Sequence, residues 1–84
     1  MSRFSYVNGK YCEHIDSFVH IEDRGYQFAD GVYEVFAVIN EKIVDFDGHL
    51  NRLFRSLDEI SLKSPIVKEA YLFHIRNLIN KNKI

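Results

Sequence analysis

The sequence predicts an α+β fold in which two helices cover a small, mainly antiparallel sheet. Two observations support this prediction. Short runs rich in β-branched and aromatic residues, separated by turn residues, occupy most of residues 4–46. In the remainder, apolar residues recur at three- and four-residue spacing, as they do on one face of a helix. With no repeat, linker or low-complexity stretch between these parts, residues 1–84 are expected to form a single domain.

The first predicted hairpin lies near residues 4–15. Phe4 to Val7 is an apolar-leaning run that ends at Asn8-Gly9, a strong two-residue hairpin signal. Residues 10–15 alternate well enough to form the returning strand. Further along, Phe18 to Ile21 predicts another short extended piece, and the polar residues that follow it predict a turn.

The second predicted hairpin lies near residues 32–46. Val32 to Ile39 is the most apolar run of the chain and is rich in β-branched and aromatic residues, which predicts a strand covered on both faces. Asn40 to Lys42 predicts a turn, and Ile43 to Phe46 predicts the next strand. The two hairpins together make up the predicted sheet.

Two helices are predicted after the sheet, at about residues 48–60 and 65–81. Asp47 has the side chain of an N-cap for the first helix. Ser64 and Pro65 mark the start of the second helix, as N-cap and first helical residue. Each helix has one apolar face. The first face consists of Leu50, Leu53, Phe54, Leu57 and Ile60, and the second of Ile66, Val67, Ala70, Tyr71, His74, Ile75, Leu78 and Ile79.

Composition and charge argue against several classes of partner. A net charge of -1 provides no basic face, so neither nucleic acid nor an anionic membrane is expected to bind. The four histidines lack metal-ligand spacing and Cys12 is the single cysteine, so no metal site is expected. The single cysteine, together with the lack of a signal-peptide pattern and of a membrane-length apolar run, predicts a cytoplasmic protein.

Three polar side chains are candidates for chemistry. Tyr33 and Glu34 interrupt the apolar run at its start, and on a strand they would point to opposite faces. Two interpretations remain open: the tyrosine packs its ring while the glutamate pairs with an arginine, or both take part in a reaction at the entrance of the strand. Arg52 lies off the apolar stripe of the first helix, three residues after His49 on the same face. The helical spacing alone predicts that Arg52 is a solvated surface residue.

A longer motif adds to these candidates. Residues 23–35 read D-R-G-Y-Q-F-A-D-G-V-Y-E-V, and after the second hairpin residues 49–53 read H-L-N-R-L. This two-part motif resembles the pyridoxal-phosphate aminotransferases of fold type IV. Within that family the chain looks most like the bacterial D-amino-acid (D-alanine) aminotransferases, because no glycine follows Glu34. Branched-chain aminotransferases and aminodeoxychorismate lyases share much of the pattern, so the residues leave the branch and the substrate open.

The resemblance implies a role for each candidate. Arg52 would bind the phosphate of the cofactor, since a guanidinium group gives forked, charge-assisted hydrogen bonds to phosphate oxygens. Tyr33 would line the substrate side of the cofactor. Glu34 would not contact the cofactor itself but would support the residues that do. His49 would have only a structural role. Ala29 stands where the family usually has glycine, and its methyl group is tolerable only if φ is negative.

The resemblance also implies an incomplete site. Family members are several times longer, and the chain matches most of their small N-terminal domain without the large catalytic domain. The lysine that forms the Schiff base with the cofactor lies in that large domain, so no catalytic residue is expected in this chain. The expected function is a truncated or split aminotransferase that is inactive alone and is completed by a separate large-domain polypeptide. A non-catalytic remnant and a small module that self-associates as a homodimer are the alternatives.

Overall fold

A computed structural model describes residues 3–84 and confirms the predicted α+β class. Within those residues the strands form two separate two-stranded antiparallel sheets rather than one, and a short helix precedes the second sheet. The elements in chain order are β1 (Phe4–Val7), β2 (Lys10–Glu13), α1 (Arg24–Phe28), β3 (Val38–Ile39), β4 (Lys42–Ile43), α2 (Phe46–Glu59) and α3 (Lys68–Asn82).

The first hairpin is present as predicted. Strands β1 and β2 pair with Tyr6 opposite Tyr11 and Val7 opposite Lys10, which leaves Asn8 and Gly9 as the two-residue turn. Both turn residues have positive φ, 50° and 83°, which is the geometry that a tight hairpin connection requires. One 3-10 turn follows β2. Phe18 to Ile21, predicted as an extended piece, forms no strand and lies largely exposed.

The second hairpin is much shorter than the predicted span of residues 32–46. Only Val38–Ile39 pairs with Lys42–Ile43, across a turn in which Asn40 and Glu41 have positive φ. Residues 32–37 keep the alternation of a strand, with every second side chain half-buried, but they have no strand beside them. The prediction of a strand covered on both faces is therefore wrong, because the side chains on one face, among them Tyr33 and Val35, are exposed.

Both long helices form, but their first residues differ from the prediction. Helix α2 begins at Phe46, before the predicted N-cap Asp47, and its N-cap is Asp45, whose side chain makes no capping hydrogen bond. Helix α3 begins at Lys68 rather than at Pro65. The hydroxyl of Ser64 is used locally instead, since it donates to the Ile66 carbonyl at 2.6 Å and accepts from the Ile66 amide at 3.3 Å. That small turn delays the start of the helix.

The first hairpin and the two long helices make up what we call the packed region, residues 4–13 and 46–82. The side chain of Asn82 on α3 makes two hydrogen bonds to the backbone of Phe4. It accepts from the Phe4 amide at 2.8 Å and donates to the Phe4 carbonyl at 3.1 Å. His74 lies between the hydroxyl groups of Tyr6 and Tyr11, at 3.2 and 2.5 Å. These bonds connect residues far apart in sequence and hold α3 against the hairpin.

The segment between the two hairpins, residues 18–37, is what we call the open segment. Its large apolar side chains are mostly exposed: Phe18, Val19, Ile21, Tyr26, Phe28, Tyr33 and Val35. The accessible surface of the chain is 6979 Å², whereas a compact monomer of 9.9 kDa exposes about 5,200 Å². Among residues 3–84, Leu50 and Ile79 alone are buried hydrophobic side chains. The fold is thus a thin layer, 34 by 30 by 18 Å, with apolar surface left uncovered.

In the part of the chain that the structure describes, no helix is both long enough and apolar enough to cross a membrane.

Candidate functional site

The Glu34 carboxylate is the centre of a three-residue polar cluster. Arg52 donates to it through a fork, from Nε to Oε2 and from Nη2 to Oε1, each at 2.7 Å. His49 Nδ1 lies 2.6 Å from Oε1 and donates to it, because an ionised carboxylate can only accept. The Glu34 side chain is 5% exposed and that of Arg52 is 57% exposed. A nearly buried anion therefore holds an arginine whose side chain reaches into solvent.

The charges of this cluster stabilise one another. The hydrogen bonds from Arg52, and then the one from His49, lower the pKa of Glu34 to about 2. The same contacts with Glu34 raise the pKa of Arg52 above its ordinary value. Glu34 is thus ionised at neutral pH, and the cluster holds its charged hydrogen bonds across the physiological range.

Two structural elements bring the cluster together. Glu34 lies on the inward side of the open segment, and Phe36, two residues later on that side, has its ring centre 4.7 Å from that of His49. Helix α2 places His49 and Arg52 about one turn apart, on the face that meets Glu34. Residues separated by 15 and 18 positions in the sequence therefore meet at one carboxylate.

Tyr33 lies on the opposite side of the open segment from Glu34. Its side chain points outward and is 85% exposed. Of the residues singled out from the sequence, the structure joins Glu34 and Arg52 directly, and it leaves Tyr33 outside the cluster, exposed to solvent.

His49 is more closely involved than the sequence indicated. Its hydrogen bond to Glu34 makes it a member of the cluster, not merely a packing residue of α2. The signal that could have found it was its position three residues before Arg52. For Glu34, the interpretation that it pairs with an arginine describes the contact that the structure shows.

The loop that precedes the cluster contains the short helix α1. Asp23 is its N-cap and accepts from the Gly25 amide at 3.0 Å. Ala29 ends the helix in the left-handed conformation, with φ at 54°, and Arg24 donates to Asp30 across the turn at 2.7 Å. Since φ is positive at Ala29, its methyl group is strained there, by roughly 1–2 kcal/mol. This is the conformation in which glycine would be preferred.

Across residues 3 to 84, no group of three or more His, Cys, Asp or Glu side chains is placed to hold a metal ion.

Comparison with known proteins gives one consistent result. No family profile matches the chain. It is 42% identical over 78 residues to a D-alanine aminotransferase of Listeria monocytogenes serotype 4b, covering 93% of this chain and 27% of that enzyme. A D-alanine aminotransferase of Bacillus licheniformis is 37% identical over 76 residues, with 90% and 27% covered. One of Staphylococcus epidermidis is 33% identical over 79 residues, with 94% and 28% covered.

These matches confirm the resemblance inferred from the motif of residues 23–35 and 49–53. They extend over nearly all of this chain but over little more than a quarter of each relative.

Proposed function

Since the chain is a homologue of the N-terminal part of the fold-type IV aminotransferases, we propose that it supplies the small-domain half of a pyridoxal-phosphate transaminase site for D-amino acids. In this proposal residues 1–84 correspond to most of the small domain of such an enzyme. The observation that carries the proposal is the fork between Glu34 and Arg52, which fixes an arginine while leaving part of it exposed.

Arg52 is the residue that would hold the cofactor phosphate. Glu34 occupies Nε and one hydrogen of Nη2, so Nη1 and the second hydrogen of Nη2 form an edge directed away from the carboxylate. That edge is a fork of two donors, which matches two phosphate oxygens. Because Glu34 already holds the arginine through two hydrogen bonds, binding costs less side-chain entropy than it would for a free surface arginine. The residues present therefore fit a phosphate group.

Tyr33 would line the substrate side of the same site. Its ring is exposed, it precedes Glu34 in the sequence, and it projects from the open segment on the side opposite Glu34. An exposed aromatic ring can pack against a flat ligand. Glu34 would not touch the ligand in this arrangement, but would set the position of the arginine that does.

The cofactor would supply the electron sink that allows the α-proton of an amino acid to be removed. This step needs a lysine and groups for the substrate carboxylate, which the proposal assigns to the remaining part of the enzyme. The chain spans 27% of the length of the relatives it matches. We therefore propose that it transaminates only together with a large-domain polypeptide and that this chain alone is inactive.

A second candidate, a self-associating module, is favoured by the exposed apolar side chains of the open segment. It requires no cofactor. Sedimentation at rising protein concentration separates this candidate from the first proposal. The fraction of homodimer should rise with concentration whether or not a phosphate ligand is present.

The phosphate site is tested by titrating the chain with pyridoxamine phosphate, a fluorescent ligand with no aldehyde to react with surface lysines. We expect a dissociation constant on the order of 1 mM, because a few charge-assisted hydrogen bonds contribute about 1.5–3 kcal/mol each and association costs offset much of that. Arg52→Gln should weaken binding by at least about tenfold, which corresponds to the loss of about 1.4 kcal/mol.

Arg55→Gln is the matched control, because Arg55 is an exposed arginine on the same helix, three residues from Arg52. Its binding should equal that of the unchanged chain. Pyridoxamine without phosphate should bind neither protein measurably. Equal loss of binding in both arginine variants, or affinity that does not depend on the phosphate, would overturn the assignment of Arg52.

A further inference from the structure

Asn8 and Gly9, which form the turn of the first hairpin, are both exposed to solvent. Among residues 3–84, the Gly9 amide makes no hydrogen bond to another backbone group. A Cβ added at Gly9 would meet no atom within 4 Å apart from its neighbours in the chain. The turn therefore leaves the side-chain carboxamide of Asn8 and the backbone nitrogen that follows it uncovered.

The turn of the second hairpin has nearly the same backbone but a different second residue. Asn40 and Glu41 occupy the two turn positions that Asn8 and Gly9 occupy in the first hairpin. The first turn residue has φ at 51° in Asn40 and 50° in Asn8, and the second has φ at 65° and 83°. All four residues are exposed. The two turns therefore differ mainly in the side chain that follows the asparagine.

That side chain determines how easily the next backbone nitrogen reaches the asparagine carboxamide. Contact between the two requires the turn residues to leave their positive φ values and to sample other conformations. Glycine samples such conformations at little steric cost, because it has no Cβ. Glu41 is restricted to fewer of them, and its side chain crowds its own nitrogen. The same reaction should therefore be easier at Asn8 than at Asn40.

We propose that Asn8 is a site of spontaneous deamidation. The Gly9 nitrogen forms a bond to Cγ of Asn8 and gives up its proton, the bond from Cγ to Nδ2 breaks, and Nδ2 leaves with that proton as ammonia. Water then opens the resulting succinimide at one of its two carbonyl carbons, which gives aspartate or isoaspartate. Nothing is oxidised or reduced, and solvent water, the co-reactant, reaches this exposed turn.

The isoaspartate product changes the part of the fold beside the turn. Its backbone continues through Cγ, which lengthens a two-residue connection, and it adds a carboxylate. The length of a hairpin turn sets the register of its strands, and here that register pairs Tyr6 with Tyr11. The hydroxyl groups of both tyrosines contact His74 on α3, at 3.2 and 2.5 Å. Formation of isoaspartate therefore loosens the first hairpin from α3.

The test compares the two asparagines in one sample. The chain is kept in neutral buffer at body temperature for several weeks, and peptide mass spectrometry measures the replacement of NH2 by OH at Asn8 and at Asn40. Asn8 should react at least about tenfold faster, which corresponds to a barrier lower by about 1.4 kcal/mol. Because β3 and β4 share fewer residue pairs than β1 and β2, easier opening of the turn would favour Asn40 instead. A rate at Asn40 equal to or above that at Asn8 would overturn the proposal.

Exchange of the second turn residue tests the cause. Glu41→Gly should raise the rate at Asn40 by at least about tenfold, and Gly9→Glu should lower the rate at Asn8 by a similar factor. Glycine tolerates the positive φ of Glu41, so Glu41→Gly gives a result even if Gly9→Glu does not fold. An unchanged rate at Asn40 in Glu41→Gly would overturn the proposal.

Amide hydrogen exchange tests the effect on the fold. The isoaspartate form is separated by ion exchange and compared with the unchanged chain. The amides of Val7 and Lys10, which are paired across the turn, should exchange at least about tenfold faster. That of Leu53, in the middle of α2, should keep its rate. Equal rates at Val7 and Lys10 in the two forms would overturn the proposed loosening. No phosphate ligand enters these measurements, so their outcome is independent of the Arg52 site.

Discussion

The packed region and the open segment differ in what holds each of them in place. In the packed region, Asn82 and His74 on α3 bond to the first hairpin, and Leu50 is 1% exposed. In the open segment, apolar side chains face solvent, and within residues 3–84 the backbone of Val32 to Phe36 makes no hydrogen bond to other backbone groups. The first part of the family motif, residues 23–35, lies entirely in the open segment, whereas the second part, residues 49–53, lies in α2 of the packed region. The two parts of the motif therefore lie in regions that are held in place by different contacts.

The two regions meet at Glu34. Its carboxylate belongs to the open segment, while His49 and Arg52 belong to α2. The contact between the Phe36 and His49 rings adds a packing interaction at the same place. One anion with two donors thus attaches the open segment to the packed region, and the candidate phosphate-binding arginine lies at this junction.

The largest effect that would test this contrast is expected from truncation of Leu50. Leu50→Ala should lower the free energy of unfolding by about 3 kcal/mol, because it removes a fully buried side chain and leaves a cavity. Val35→Ala, in the exposed part of the open segment, should change it by less than about 0.5 kcal/mol. Urea unfolding monitored by circular dichroism measures both.

A domain of this size has a total stability of only about 4–12 kcal/mol, so Leu50→Val is a milder second variant with an expected cost of about 1 kcal/mol. If Val35→Ala destabilised the chain as much as the Leu50 variants do, the open segment would be packed in solution. The proposed difference between the packed region and the open segment would then be wrong.

The difference between the two regions also explains which parts of the fold were predictable from the sequence. Asn8-Gly9 predicted the first hairpin, and the apolar stripe of α2 predicted that helix, because both depend on nearby residues. The strand predicted at Val32 to Ile39 is paired only at its last two residues. An apolar run favours a strand but does not determine which of its residues pair with a neighbouring strand.

The cluster was predictable in its members but not in its arrangement. The motif pointed to Glu34 and Arg52, and the option that a glutamate pairs with an arginine was open from the sequence. The bond between His49 and Glu34 depends on how α2 lies against the open segment, which periodicity does not determine. Similarly, nothing in the sequence alone determined that φ is positive at Ala29.

A smaller effect is expected at the junction between the regions. The pKa of Glu34 is lowered to about 2 from an ordinary value of 4.5, first by Arg52 and then by His49. Between these two pH values the unfolded chain binds the proton that the folded chain does not, so the free energy of unfolding rises with pH. The contribution of Glu34 is complete above about pH 5 and is lost as the pH falls through the folded pKa.

Carboxyl-carbon NMR of Glu34 during an acid titration measures this directly. Arg52→Gln should move the Glu34 midpoint upwards, towards its ordinary pKa, because it removes the largest cause of the shift. Arg55→Gln should leave the midpoint where it is. A Glu34 midpoint near 4.5 in the unchanged chain would mean that the junction is open in solution, and the open segment would then be attached by packing alone.

The smallest effect is expected within the open segment, at Ala29. Replacement by glycine relieves the strain of a positive φ but increases the freedom of the unfolded chain, so the net gain should be about 0.5 kcal/mol. The amides of Gln27 and Asp30, which bond to Asp23 and Arg24 across α1, should exchange about twofold more slowly in Ala29→Gly. If the open segment unfolds independently of the packed region, this slowing will appear without any change in urea unfolding.

Ala37→Gly is the control, since Ala37 is exposed without a positive φ, and it should slow neither amide. A gain in global stability from Ala29→Gly would instead show that the two regions unfold as one unit.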